Sequence, residues 1–390
     1  MSDVVNLTTM EVDALTDADG GLNLTDGHAR LGLTPEQAAI IASIPDMFAE
    51  ASSRPFQDIE RQAHTAFLHG IGQYSAPIGT GRIFSCYSST LATDIVARAL
   101  PAGATIAVLH PTFDNIADLF TTRGLKLVPM TERQLMNQDW PEAPVSAIVV
   151  THPNNPTGLI TPRGHLRSLA EHAARNGQTV IIDASFRGQV RDAQYDTYEV
   201  LDAAGADWII IEDTGKLWPT HELKIGLLAF SERTTLPLYR AYSESLLAAS
   251  PVVLRMVTEL AGDWVEGGYE RARDTVARNR SVVKEAIEAV GLELADPTSQ
   301  ISVARISLPE DGPGSGELYQ LLVTRGVHVL PCSPFHWADP KSGDRFIRIS
   351  LARPYETVRQ GAEKLAAAFA ELSAAAGAER LAEAEGALVA

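Results

Sequence analysis

From about residue 55 the chain alternates short apolar segments with amphipathic helical patterns. The apolar segments are Ile83–Ser85, Thr105–Leu109, Leu125–Pro129, Val145–Thr151, Val180–Asp183, Trp208–Glu212 and Gly226–Phe230. Helical periodicity separates many of them, for example over Leu91–Leu100, Asn115–Arg123 and Gly164–Arg175. Segments such as Ile209–Ile211 have the composition of strands covered on both faces. This pattern predicts an α/β fold with a mostly parallel, seven-stranded sheet and helices on both of its faces. One strand leads directly into Glu212-Asp213-Thr214-Gly215-Lys216-Leu217-Trp218. A lysine at the exit of a buried strand is costly unless its amine is used or neutralised. It suits a Schiff base with an aldehyde cofactor, and equally a side chain that snorkels from a strand end to water.

A long helical pattern over Tyr269–Val290 follows the sheet segments. After it come a strand pattern at Ile301–Leu308, a Gly/Pro-rich loop at Glu310–Gly316 and a helix near Glu317–Arg325. Strands near Val327–Leu330 and Phe346–Leu351 and a final helix from Tyr355 complete a smaller α+β domain, with an Ala- and Glu-rich tail expected to fray. The expected division is an N-terminal arm over 1–35, a large domain over 36–275 and a small domain over 276–390. Within the arm, Thr8-Thr9-Met10-Glu11 fits a capping box. Asp17-Ala18-Asp19-Gly20-Gly21 breaks that helix, and Thr34-Pro35-Glu36-Gln37 starts another.

With 390 residues and 45% hydrophobic content, the chain can bury a large core. Its net charge of -17 argues against nucleic acid and anionic membrane surfaces as partners. The two cysteines, Cys86 and Cys332, suggest a reducing compartment. The N-terminus lacks the basic and apolar regions of a signal peptide, and no stretch reaches the apolar length of a membrane span. A soluble cytoplasmic protein is expected. Gly79-Thr80-Gly81 lacks the third glycine of a dinucleotide fingerprint, and no G-K-[ST] loop occurs.

Four further features fall at strand ends, where open α/β sheets place ligands. Ser85-Cys86-Tyr87-Ser88-Ser89-Thr90 puts hydroxyls at a helix start, suited to a phosphate or to a plain N-cap. His110-Pro111-Thr112-Phe113 offers an aromatic that could stack on a flat ring or belong to the core. His152-Pro153-Asn154-Asn155-Pro156-Thr157-Gly158 is a rigid turn. Asp183-Ala184-Ser185-Phe186-Arg187-Gly188 ends a buried strand in a carboxylate that wants a cationic partner, which a protonated pyridinium nitrogen would supply.

In this order and spacing, Asn155-Pro156-Thr157-Gly158, Asp183, Lys216, Lys224 and Phe346-Ile347-Arg348 resemble the fold-type-I pyridoxal-phosphate enzymes of the aspartate aminotransferase family. The resemblance covers the chain from about residue 35. It implies pyridoxal phosphate as cofactor and no metal. It implies that Lys216 carries the cofactor and later moves the substrate α-proton, and that Asp183 pairs with the pyridine nitrogen. Asn155 would reach the ring's phenolic oxygen, and Phe113 would stack on the ring. Ser88, Ser89 and Lys224 would bind the phosphate, with Ser185 beside the cofactor. Arg348 would clamp the substrate carboxylate.

Three departures stand out. Phe186 replaces the usual tyrosine three residues after the aspartate. Asp213 replaces a phosphate-binding serine three before the lysine, where a carboxylate would repel phosphate and better faces a cation. Lys224 replaces an arginine and offers no bidentate fork. The same chain is similar to a small group of pyridoxal-phosphate-dependent L-arginine oxidases, or hydroxylases, of bacterial antibiotic pathways. The shared strings are Asp26-Gly27-His28-Ala29-Arg30, Ser85-Cys86-Tyr87-Ser88-Ser89, His110 to Asp118, Ser185-Phe186-Arg187-Gly188 and Ile211 to Thr220.

That similarity implies a homodimer whose N-terminal helix folds over L-arginine. Thr8, Glu11 and Asp213 would meet the guanidinium, with help from Asp26, and His28 would take part in the later oxidation or hydration steps. Thr8 and Glu11 also fit a cap on their own helix. The expected reaction uses O2 and gives 4-hydroxy-2-oxoarginine, 2-oxoarginine or both, with ammonia and hydrogen peroxide. An ordinary aminotransferase acting on a cationic amino acid is the main rival, and an arginine sensor the third possibility.

Overall fold

The computed structural model describes residues 6–17, 20–141, 144–220 and 222–389, with side chains through residue 378. Residues 1–5, where no signal peptide is expected, and residues 18–19 within the break expected over 17–21 lie outside the described residues. The chain forms two compact units, His28–Arg273 and Met1–Gly27 together with Asp274–Ala390.

The His28–Arg273 unit is built on a seven-stranded sheet. Its strands are β1 (Ile83–Cys86), β2 (Thr105–His110), β3 (Lys126–Thr131), β4 (Ala147–Thr151), β5 (Thr179–Asp183), β6 (Asp207–Asp213) and β7 (Gly226–Phe230). Their order across the sheet is β1-β7-β6-β5-β4-β2-β3. All seven expected segments are strands, with ends that move by a residue or two. β7 runs antiparallel to both of its neighbours, and the remaining pairs are parallel. Rows of Ile and Val fill β4, β5 and β6, and these strands are buried along almost their whole length. β-Branched side chains stiff at χ1 suit such a pleated surface covered on both sides.

The parallel strands run in one direction, so their carboxyl ends share one edge of the sheet. Thr151, Asp183 and Ile211 are in register across β4, β5 and β6. On the core side, Trp218 meets Phe67 and Trp264 edge-on, and Trp264 meets Tyr269 in the same way. Burying each such aromatic contributes on the order of 2–3 kcal/mol. Beneath the same edge, Arg187 and Glu212 form an ion pair in which both side chains are fully buried. Arg187 also donates to Thr197 Oγ1 at 2.6 Å.

In the other unit, Val303–Ser307 pairs antiparallel with Phe346–Ser350, flanked by Leu330–Pro331 and Glu293–Leu294. The single strand expected near Val327–Leu330 is two. Val327–His328 instead pairs with Leu22–Asn23, a parallel partner some 300 residues away. Leu24 then joins a core of Ile306, Leu322, Val327, Ile347 and Leu365. The helix Leu7–Thr16 forms where expected but is capped differently. Asn6, not Thr8, is its N-cap and accepts from Thr9 N at 2.9 Å. Asn satisfies the free N–H groups of a first turn as well as Ser or Thr, and Thr8 lies within the helix, exposed. The last helix, Tyr355–Val389, keeps its backbone helical through the Ala-rich tail. Among the described residues no helix is long and apolar enough to cross a membrane.

Candidate active site

The shared edge of the large sheet gathers most of the residues singled out from sequence. Phe113 follows β2, Asn155 follows β4, Asp183 ends β5 and Asp213 ends β6. A single 3-10 turn, Thr214–Lys216, then carries the lysine. The antiparallel strand β7 starts at this edge, with Gly226 in register with Cys86 on one side and Asp213 on the other. The helix Ser89–Ala99 therefore begins beside the lysine turn. A Cβ on Gly226 would come within 2.4 Å of the Ser88 carbonyl carbon and 2.7 Å of Ser89 N. Only glycine permits that approach.

Lys216 is half-buried. Its amine lies 5.7 Å from the centre of the Phe186 ring, and it has no hydrogen-bond or ion-pair partner among the described residues. Gln189 Nε2 donates to the Lys216 carbonyl at 2.7 Å, which fixes the turn from below. Phe186, where the resembled family has tyrosine, thus faces the lysine as a ring without a donor.

Asp183 accepts twice on Oδ1, from Ser185 N at 3.0 Å and Ser185 Oγ at 2.5 Å. Burial raises its pKa, the nearby Asp213 charge adds to this, and Ser185 and Lys216 oppose it. A carboxylate that burial pushes upward is one that a cation would hold ionised. Asp213 behaves in the opposite way. Burial would raise its pKa, but the Lys216 and Lys224 charges and the Ser89 hydrogen bond hold it below the ordinary value. Its Oδ2 accepts from Ser89 N at 3.2 Å and Ser89 Oγ at 2.8 Å. Its Oδ1 accepts from Gly215 N at 2.7 Å. One carboxylate thus ties the start of the helix Ser89–Ala99 to the turn that carries Lys216.

Ser88 is the N-cap of that helix and accepts from Leu91 N at 3.1 Å, the plain reading of its position. Ser89 gives its hydroxyl to Asp213. Lys224 holds His28 Nε2 and Glu222 Oε2, each at 2.7 Å from its amine. The buried Asn155 turn is anchored through its neighbours. Asn154 donates to Pro111 O at 2.8 Å and to Glu132 Oε1 at 2.6 Å, and Thr157 donates to the same Glu132 oxygen.

The remaining candidates belong to the other unit. Arg348 is buried, with its guanidinium carbon 5.0 Å from the Phe335 ring centre. Its Nη2 donates to the Thr25 carbonyl and lies 3.6 Å from Glu11 Oε1. Asp26 pairs with Arg353, Nη2 to Oδ2, at 3.0 Å. Sequence reasoning missed Glu222, Gln189, Glu132 and Arg353. Each acts on a partner distant in the chain or through a carbonyl, and only Glu222, two residues from Lys224, left a local trace.

The donor set suits pyridoxal phosphate. An amine with no hydrogen-bond or ion-pair partner among the described residues stands near a buried carboxylate whose pKa burial raises, and a helix start faces the same edge. Lys216 would hold the aldehyde carbon, Asp183 the ring nitrogen, and the start of the helix Ser89–Ala99 the phosphate.

The family profile of aminotransferase class I and II matches residues 26–365. The chain belongs to the class I and II aminotransferase family. Among aminotransferases of known sequence, it is 25% identical to an LL-diaminopimelate aminotransferase of Dehalococcoides mccartyi over 219 residues, 56% of this chain and 55% of that protein. It is 22% identical to the aspartate/prephenate aminotransferase of Thermus thermophilus over 222 residues, 56% of this chain and 55% of that protein. The match thus spans about half the length of these curated relatives. Among solved aminotransferase-fold structures, MppP soaked with the product 2-ketoarginine aligns with a TM-score of 0.87 and 42% identity, covering 89% of this chain and 99% of that one. Aspartate aminotransferase from Thermus thermophilus with maleate aligns at 18% identity and a TM-score of 0.77, covering 93% and 96%, which speaks for the fold-type-I architecture. The expected fold and family are those found.

Proposed function

We propose that this chain oxidises L-arginine with pyridoxal phosphate and O2. The products are 2-oxoarginine, 4-hydroxy-2-oxoarginine or both, with ammonia and hydrogen peroxide. The proposal extends to a cytoplasmic homodimer serving an antibiotic pathway. The observation that carries it is Asp213, a carboxylate held ionised next to Lys216, where a phosphate-binding hydroxyl would serve an ordinary aminotransferase. A fixed negative charge there favours a cationic side chain, and the 42% likeness to the 2-ketoarginine-soaked MppP supports a guanidinium.

Bound pyridoxal phosphate supplies an electron sink for the carbon next to the amine. The protein groups do the rest. The Lys216 amine would take the α-proton. Asp183, held by Ser185, would keep the ring nitrogen protonated, and Asn155 and Phe113 would also hold the cofactor. Ser88, Ser89 and Lys224 are proposed for the phosphate. Asp213, Glu11 and Thr8 are proposed for the guanidinium, Arg348 for the carboxylate, and His28 for proton movement in the later steps, while Asp26, paired with Arg353, is left to structural work. Each two-electron oxidation consumes one O2 and releases one hydrogen peroxide, and water supplies the new oxygen atom.

The test is oxygen uptake by the purified holoenzyme with L-arginine and no keto acid. Uptake with matching ammonia and peroxide is expected. The curated aminotransferase relatives favour a second reading, conventional transamination of a cationic amino acid. In that case oxygen is not consumed and activity appears only when a keto acid is added.

A further inference from the structure

We infer that Glu222 and Lys224 form a positioning pair that fixes His28 as a neutral imidazole protonated on Nδ1. This inference rests on the role proposed above for His28. An ammonium has three donors and no acceptor. Lys224 Nζ lies 2.7 Å from Glu222 Oε2 and 2.7 Å from His28 Nε2. With the ammonium donating to both groups, Nε2 supplies the lone pair. A neutral ring with its lone pair on Nε2 carries its proton on Nδ1.

The pair is itself held in place. Arg30 Nη2 reaches the other oxygen of Glu222 at 3.2 Å. Ala29 N donates to Gly215 O at 3.3 Å, which ties the His28 segment to the lysine turn. Gly215 leaves room for both partners. A Cβ there would lie 2.6 Å from Lys224 Cδ and 2.9 Å from His28 Cδ2. His28, Arg30, Gly215, Trp218, Thr220, Glu222 and Lys224 line one small cavity. Among the described residues, the charged groups near the ring include Lys224 and, through it, Glu222 and Arg30.

The chemical consequence is directional. With Nε2 occupied by a donor, the ring cannot act as a base through that nitrogen. It presents its Nδ1–H as a donor on the side away from Lys224. Glu222 is 52% exposed and Lys224 12%, so the chain of groups runs from solvent inward.

The experiment is 15N NMR of the full-length protein, labelled at histidine, with and without pyridoxal phosphate. His28 is assigned by the signals lost in His28→Gln. At neutral pH the wild type should show Nε2 unprotonated and Nδ1 protonated. Lys224→Met should shift His28 toward the Nε2–H tautomer. Glu222→Gln, a near-isosteric change at an exposed position, should broaden the tautomer preference and lower the hydroxylated share of the arginine products at least twofold. A wild-type His28 that is Nε2-protonated or doubly protonated overturns the inference, as does a tautomer unmoved in Lys224→Met. A tautomer that moves while the product ratio stays fixed upholds the pair and removes His28 from the oxidation chemistry instead.

Discussion

Arg353 and Asp26 are paired inside the protein, guanidinium Nη2 to carboxylate Oδ2 at 3.0 Å, with both side chains almost completely buried. Arg353 Nη2 also donates to the Asp26 carbonyl at 3.0 Å and Nε to the Asn23 carbonyl at 2.8 Å. One arginine thus stitches the segment 23–26 to the end of the small-domain sheet. This is structural work for a carboxylate that sequence resemblance offered to the substrate guanidinium. Removing one partner of a buried pair leaves the other uncompensated and costs about 3–5 kcal/mol. Asp26→Ala is therefore expected to lower the urea midpoint strongly while leaving the arginine KM of the folded fraction within about twofold. Unchanged stability with a KM raised tenfold would return Asp26 to the substrate.

The N-terminal segment divides into two parts with different consequences when removed. Leu22–Asn23 pairs with Val327–His328, and Leu24 is fully buried in the core of that unit. Deleting residues 1–16 removes the helix Leu7–Thr16 and keeps the strand Leu22–Asn23. It should leave the fold and pyridoxal-phosphate absorbance intact and impair arginine turnover. Deleting residues 1–24 should in addition destabilise the protein by several kcal/mol, because a core leucine and a strand are lost. Circular dichroism melts of the two truncations separate these effects. Equal melts would show that the strand contributes nothing.

Acid stability should be set by two buried histidines. Burial lowers His64 to about 4 and His152 to about 3. The unfolded chain binds these protons near pH 6.5 and the folded chain refuses them. Stability therefore falls as pH drops below 6.5, by about 1.4 kcal/mol per pH unit for each histidine, until the folded value is reached. Glu60, whose pKa burial raises, works in the opposite sense. The difference between wild type and His64→Gln isolates one histidine. Its stability slope between pH 6 and pH 4.5 should be smaller by about one proton. Identical slopes would mean that His64 titrates normally in the folded protein.

Lys216→Ala tests the chemical centre. Added pyridoxal phosphate should no longer give the absorbance of a protein-bound Schiff base. Arginine turnover should fall at least about 100-fold, the scale of a lost general base. Methylamine added to the variant should restore part of the rate. A variant that keeps full turnover would take the α-proton role away from this lysine.

What the sequence disclosed follows from the range of the forces involved. The seven strands were legible because burial on both faces imposes an apolar run that is visible within five residues. Lys216, Asp183 and Asn155 were legible because they sit at the ends of those runs. The helix cap was misread by two residues, since Asn6 and Thr8 satisfy a first turn equally well and only packing chooses between them. The pairings of Lys224 with His28 and of Arg353 with Asp26 were hidden, for they join positions 196 and 327 residues apart. The division of Val327–Leu330 between two sheets was hidden for the same reason, because its first half is claimed by a strand from the other end of the chain.

Gly226 carries no functional group, yet its place in the register determines how much variation the site can absorb. It stands between Cys86 and Asp213, pressed against the Ser88 carbonyl. Even one methyl there would push the helix start and the lysine turn apart together, whereas replacing a single liganding side chain spoils one interaction at a time. In a library of random variants, the residue with the least chemistry should therefore be among the least replaceable at this edge of the sheet.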